Sequence, residues 1–172
     1  MNSVSYRDAT PDDGAALAAF WKACYCATFE HLYRPEDLAA FLAASYSPAQ
    51  QYAEILDTTA EHRLALVEGA IVGACQIGKL GLPIDPGPAQ SLELKRLYLD
   101  ERRKGAGVGQ ALMDWALARA RARDAAQIYL GVFSENPRAQ RFYERNGFKK
   151  VGAYKFAVGA HMDDEDILMR RL

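Results

Sequence analysis

The chain has 172 residues, a formal net charge of −1, 50% hydrophobic residues and 25% charged ones. That length suits one domain burying about 70% of the surface its unfolded form exposes, and the near-neutral balance gives no general attraction to nucleic acid. With no run of about 18 apolar residues and no basic-then-apolar leader, neither membrane insertion nor secretion is expected, and a cytoplasmic location is the default.

Residues 3–8 read as a first strand. Thr10-Pro11 then caps a long helix to about Glu30, with Leu17, Phe20, Trp21, Cys24 and Phe29 as its apolar stripe. A second helix is expected over 35–44, and Ser47-Pro48 caps a third through about Asp57. Residues 63–68 and 70–79 resemble a hairpin closing at Glu68-Gly69, and Gly81 to Pro88, with three prolines, reads as a surface loop. Residues 91–99 form a central strand, on which Glu93, Lys95 and Leu97 are expected on one face and Leu92, Leu94 and Arg96 on the other. A helix ending near Asp124 follows, then an apolar strand over 127–133 and a helix capped by Asn136 and stopped by Asn146-Gly147. Strands over about 150–157 and 165–171 finish the chain. The order is that of a mixed α/β (α+β) domain over 1–172, with about seven strands, four to five helices, no repeat and no linker.

The segment from Leu97 to Met113 passes from strand through a basic turn with three glycines directly into a helix. Glycines let backbone N–H groups converge on an anion, and the helix start adds unsatisfied amides and a positive dipole end. Arg102, Arg103 and Lys104 add charge. A P-loop needs Lys-Ser or Lys-Thr after its last glycine, but Gly109 is followed by Gln110 and Ala111. A dinucleotide fingerprint needs Gly or Ala at its sixth position, where Gln110 or Leu112 stands. A glycine-rich helix entry without a ligand is the bland alternative.

The turn resembles motif A of the GNAT superfamily of N-acetyltransferases, (Gln/Arg)-x-x-Gly-x-(Gly/Ala), with Lys104 at the Gln/Arg position and Gly107 and Gly109 as the small residues. Lysine keeps the charge but loses the fork geometry. From Asn136 the chain reads Asn-Pro-Arg-Ala-Gln-Arg-Phe-Tyr-Glu-Arg-Asn-Gly-Phe, which resembles motif B of that family. A closer likeness to PaiA-type spermidine/spermine N-acetyltransferases rests on Ala27-Thr28-Phe29 with the helix after it, Ser91-Leu92-Glu93-Leu94, and Tyr129-Leu130-Gly131-Val132-Phe133. The GNAT resemblance implies a mostly antiparallel sheet splayed between its fourth and fifth strands. It also implies acetyl-coenzyme A as cofactor, its pyrophosphate held by Lys104, Gly105, Ala106, Gly107, Val108, Gly109 and Gln110. Glu93 maps onto the family's catalytic glutamate and Tyr143 onto its general acid. The resemblance implies that the backbone of Leu97, Tyr98 and Leu99 supplies the oxyanion donors, and Asn136 resembles the residue that bonds the cofactor arm, although helix capping explains it equally well. A Glu93 carboxylate merely paired with Lys95 or Arg96 is the competing reading.

The implied acceptor is a primary amine of a small molecule, with a polyamine first. Such a cation would want carboxylates, and two acidic groups are available: Glu30, Glu36 and Asp37 around the first two helices, and Asp163, Asp164, Glu165 and Asp166 before the last strand. Either group can equally be a solvated turn. Arg119, Arg121 and Arg123 read as a solvated helix face. Cys75 reads as a buried hydrophobe rather than a nucleophile, and the cysteine and histidine spacings form no metal pattern. Two other functions stay open: acetylation of a protein N-terminus or lysine, and a non-catalytic acyl-coenzyme A binding module. The second would need neither Glu93 nor Tyr143. Nothing in the chain decides between a monomer and a homodimer.

Overall fold

Apolar alternation and helix caps resolve, in a computed structural model describing residues 3–172, into seven strands and five α-helices. The first two residues of the domain expected over 1–172 lie outside the described part. The order is β1 (Ser5–Asp8), α1 (Gly14–Phe29), α2 (Pro35–Ser45), α3 (Pro48–Leu56), β2 (Glu61–Val67), β3 (Ala70–Lys79) and β4 (Ser91–Leu99). There follow α4 (Val108–Ala122), β5 (Gln127–Phe133), α5 (Pro137–Arg145), β6 (Lys149–Val158) and β7 (His161–Arg171). The strands form one sheet in the order β1-β2-β3-β4-β5-β7-β6. Only β4 and β5 run parallel, and they pair only from Ser91–Gln127 to Glu93–Tyr129. Beyond Glu93 the two strands diverge, and that opening positions the site. Among the described residues no helix is long and apolar enough to cross a membrane.

Each sheet face has its own core. On one, Val108, Leu112, Met113 and Ala116 of α4 pack on Leu92, Leu94, Ile128 and Leu130. On the other, Leu17, Trp21 and Tyr25 of α1 pack on Leu64, Leu66 and Ala74. Gly73 lets α4 settle: a Cβ there would stand 2.9 Å from Leu99 Cδ2 and 3.1 Å from Val108 Cγ1.

Three expectations change. The first helix opens as a 3-10 turn, Pro11–Asp13, with Asp13 accepting from Thr10 N at 2.7 Å and from Arg7 Nη1 at 2.7 Å. The even alternation read along 91–99 fails, because Gln76 pairs with Arg96 and Ile77 with Leu94, leaving Lys95 as an extra bulged residue. A bulge shifts the two-residue period by one. Leu97 and Leu99 therefore join Leu92 and Leu94 against α4, while Arg96 and Tyr98 turn to Glu93's side of the sheet. There Arg96 sits over Trp21 and Tyr46 and pairs with Glu54 at 2.7 Å. Last, the final strand starts before 165 and takes in Asp163 and Asp164 together with the expected Glu165 and Asp166. They belong to β7, which pairs with β6 from Val158–His161 onward.

His62 carries a stability prediction. It is 5% exposed on β2, its Nε2 has no hydrogen-bond partner among the described residues, and burial pushes its pKa down to about 4. An unfolded histidine titrates near 6.5, so the unfolded chain binds the extra proton between those values. The stability is complete above about pH 6.5 and is lost as pH falls through about 4. His62→Gln should flatten this loss, which is on the order of 3 kcal/mol. Urea unfolding at neutral pH and near pH 4.5 checks it: an unchanged pH slope in the variant would remove His62 as the cause.

Candidate active site

A cavity of about 960 Å³ opens at the β4–β5 divergence and runs from the glycine turn to the last hairpin. At the turn, Glu101–Arg103 form one 3-10 turn, and Gly105 and Gly107 then take left-handed φ values of 84° and 81°. Gly107 is the N-cap of α4. A Cβ at either glycine would meet nothing within 4 Å, so backbone conformation and not crowding demands glycine there. Lys104 N and Ala106 N close the turn on Glu101 O and Arg103 O at 3.2 Å and 3.3 Å, which leaves the N–H groups of Gly105, Gly107 and the first turn of α4 as the donors of an anion nest. Local carboxylates hold two of the three basic side chains: Arg102 pairs with Asp100 at 2.9 Å and Lys104 with Glu101. Backbone amides thus carry the cradle more than Lys104 does. Gln110 donates to Asp114 and Asn146, each at 2.8 Å, tying α4 to the end of α5. Arg138 and Arg145, which the sequence reading passed over, also line this end. Their spacing of seven along α5 was the available signal, since it puts both on one helix face.

Gly107→Ala puts a Cβ into a left-handed backbone, which costs about 1–2 kcal/mol. Coenzyme A affinity should fall roughly tenfold if that cost displaces the nest. Calorimetric titration with coenzyme A checks it, and unaltered affinity would argue that the turn does not hold the phosphates.

Past Glu93, β4 has β3 on one side and the opening on the other. Antiparallel pairing uses alternate N–H groups, so over Leu97, Tyr98 and Leu99 the other set faces the cavity as preset donors. The Tyr98 side chain itself packs edge-on against Trp21 at 5.5 Å. Glu93 is 8% exposed and lines the cavity. Its Oε2 accepts from Lys95 Nζ at 2.9 Å and Gly81 N at 2.8 Å; Oε1 has no partner among the described residues. The expected pairing with Lys95 and an available carboxylate oxygen therefore coexist.

Tyr143 lines the cavity from α5, its ring against Phe142 and Phe148, and burial pushes its phenol pKa up. Among the described residues its hydroxyl has no hydrogen-bond partner. Asn136 Oδ1 accepts from Ala139 N at 3.1 Å, which is the capping role; its amide N–H groups are left for a ligand in the cavity. Cys75 lies outside the cavity lining, buried with Sγ 3.6 Å from Leu112 O. Arg119 and Arg123 of the basic helix face pair with Glu61 at 2.6 Å and 3.5 Å.

The far end of the cavity is aromatic. Phe29, Tyr33, Phe41, Phe133, Tyr154 and Phe156 line it. Of the seven acidic residues named from the sequence, Asp163 and Glu165 reach it. Glu30 and Glu36 are exposed and off the lining, because the helix ends bearing them face solvent. Asp164 points to the opposite face of β7 and pairs with Lys155 at 2.6 Å. Strand alternation puts Glu165 beside Asp163 on the cavity face in its place. Asp163 accepts from the Tyr33 hydroxyl and lies 3.0 Å from His161 Nε2.

Residues 21–148 match the acetyltransferase (GNAT) family profile. Over 163 residues, 94% of this chain and 97% of the relative, it is 35% identical to an uncharacterised N-acetyltransferase of Mycobacterium bovis. It is 30% identical to a spermine/spermidine N(1)-acetyltransferase of Bacillus subtilis over 90 residues, 52% of this chain and 59% of the relative. The PaiA N-acetyltransferase of Thermoplasma acidophilum, solved in complex with coenzyme A, superimposes with a TM-score of 0.80 at 19% identity, covering 99% of each chain. On the profile match and the full-length mycobacterial relative, the chain belongs to the GNAT family of acetyltransferases.

Proposed function

We propose that this chain transfers the acetyl group of acetyl-coenzyme A to a primary amine of a small molecule, a polyamine such as spermidine or spermine first. Transfer is by direct attack in a ternary complex, with Glu93 as base and Tyr143 as acid. One observation carries the reading: a single cavity joins the glycine nest, through the β4–β5 opening, to an aromatic chamber holding carboxylates. GNAT acetyltransferases use acetyl-coenzyme A, and the site's chemistry fits it. The nest suits a pyrophosphate, the Asn136 amide a polar arm, and the opening beside β4 a thioester carbonyl.

Acetyl-coenzyme A supplies an acyl carbon already activated as a thioester. An alkylamine with a pKa of about 10.4 is under 1% neutral at pH 7, so the site must take a proton. The ammonium gives up one proton to water on becoming the nucleophile, and Glu93 Oε1 accepts the second as nitrogen bonds to the acyl carbon and the carbon–sulfur bond breaks. The β4 N–H groups stabilise charge on the carbonyl oxygen, and Tyr143 donates toward the departing sulfur. Two protons leave nitrogen and one reaches sulfur from Tyr143, which is restored from Glu93 through solvent, so each turnover releases one proton.

The polyamine reading draws on the chamber's carboxylates and aromatic walls, which suit an organic cation, and on the Bacillus relative's name. Tyr33 and Phe41, from the segment around α2, line the chamber and would narrow a groove for an extended peptide. Thiol release with acetyl-coenzyme A is the test, over spermidine, spermine, simple diamines, aminoglycosides and short peptides. Turnover confined to polyamines is expected. Turnover on peptides alone would favour a protein acetyltransferase, and coenzyme A binding with no turnover would favour a binding module.

A further inference from the structure

We propose that Glu165, backed by the Tyr154 hydroxyl, seats a second ammonium of the acceptor, so that the site selects diamines over monoamines. The inference rests on the amine-acetyltransferase reading and adds a specificity-determining residue to it. Glu165 faces the cavity from β7, opposite Tyr154 on β6 and Phe133 on β5. Its Oε2 accepts from Tyr154 Oη at 2.7 Å. Every other acidic residue of 163–166 has a cationic or ionisable nitrogen close by: His161 for Asp163, Lys155 for Asp164 and Lys150 for Asp166. Among the described residues Glu165 has none. A secluded carboxylate whose partner is a neutral phenol lacks a countercharge, and a ligand cation supplies one. Burial raises the pKa of Glu165, as that deficit would.

Gly131 on β5 makes room for the pair. A Cβ there would stand 2.7 Å from Tyr154 Oη and 2.9 Å from Glu165 Oε2. This glycine lies two residues beyond Tyr129, where β4–β5 pairing stops opposite Glu93. Glu93 is level with Tyr129 and Glu165 with Phe133, so their backbones lie two strand spacings, about 10 Å, apart across the sheet and four residues, about 13 Å, apart along it, while their carboxylates converge on Tyr154, whose hydroxyl bonds Glu165 and is within electrostatic reach of Glu93. A short alkyl diamine with an ion contact at each end spans between the two carboxylates over Gly131, its methylenes along Phe133. A monoamine reaches one carboxylate only. The reacting nitrogen then lies at Glu93 and the retained ammonium at Glu165.

The test compares 1,4-diaminobutane with butylamine in wild type, Glu165→Gln and Gly131→Ala. Gly131→Ala keeps both side chains but pushes their tips off the seat. In each variant the ratio of kcat/KM for diamine over monoamine should fall at least tenfold, mainly through the diamine KM, since a hydrogen-bonded charge contact is worth about 10–100-fold. A second readout needs no chemistry: 1,4-diaminobutane alone should raise the wild-type melting temperature and should not raise that of Glu165→Gln. An unchanged ratio, or an equal loss of kcat on both amines, would overturn the seat, the latter by placing Glu165 in proton transfer. Absence of the wild-type diamine shift would also overturn it, while leaving acetylation of amines to the thiol-release panel. A diamine shift without turnover on any amine would uphold the seat and sink the acetyltransferase step.

Discussion

Glu93→Gln is expected to lower kcat/KM for the amine by about 10²–10⁴-fold, the usual range for losing a positioned proton acceptor. Coenzyme A affinity should be unaltered, because Glu93 stands at the base of the β4–β5 opening and the phosphate nest lies beyond the far end of β4. Glutamine keeps the length and an oxygen for Lys95 and for the Gly81 N–H, which now share Oε2. The local fold should hold, as a melting temperature would verify. Lost turnover with retained coenzyme A binding separates proton transfer from structure. Full turnover in the variant would leave Glu93 as an ion-pair partner that anchors the Gly81 loop, and would remove it from the chemistry.

Tyr143→Phe is expected to lower kcat by about 100-fold or more with little change in amine KM. The ring packs between Phe142 and Phe148 at centroid distances of 5.5 Å and 5.9 Å, and phenylalanine preserves that packing. Only the hydroxyl is removed. Burial keeps the phenol protonated across the working pH range, so it is present as a donor when sulfur charge develops. The departing thiolate, from a thiol of pKa about 8.5, would then have to be protonated from water. Thiol-release kinetics at saturating amine and cofactor check this, and equal rates in variant and wild type would take proton delivery away from Tyr143.

The local devices of this chain were legible in its residues because each is encoded within one turn of backbone. Ser47 caps α3 by accepting from Gln50 N, Asn136 caps α5, and Pro48 and Pro137 open those helices. The left-handed positions at Gly105 and Gly107 are likewise demands of the turn itself. The glycine-turn end of the proposed site, built from those devices, was therefore readable. The acceptor end was not. It is assembled from α1, the segment around α2, and the β6–β7 hairpin, and no spacing relates Phe41 or Tyr33 to Tyr154 and Glu165.

The sequence by itself determined the order of elements, the glycine nest, the capped helices and the identity of the two candidate proton-transfer residues. Contacts and hydrogen bonds within a few residues decide the elements, the turn and the caps, whereas Glu93 and Tyr143 are named by the resemblance to the GNAT family. The tertiary structure alone decided three things. The bulge at Lys95 exists because β3 pairs Gln76 with Arg96 and Ile77 with Leu94, and that register reverses which side chains of β4 face α4. Asp163 and Asp164 joined the strand expected from 165 because β6 offered ladder partners and Lys155 offered countercharge, outweighing a local preference for turn. With that pairing, alternation sent Asp164 to solvent and Glu165 into the cavity, a choice that one residue of register would have inverted.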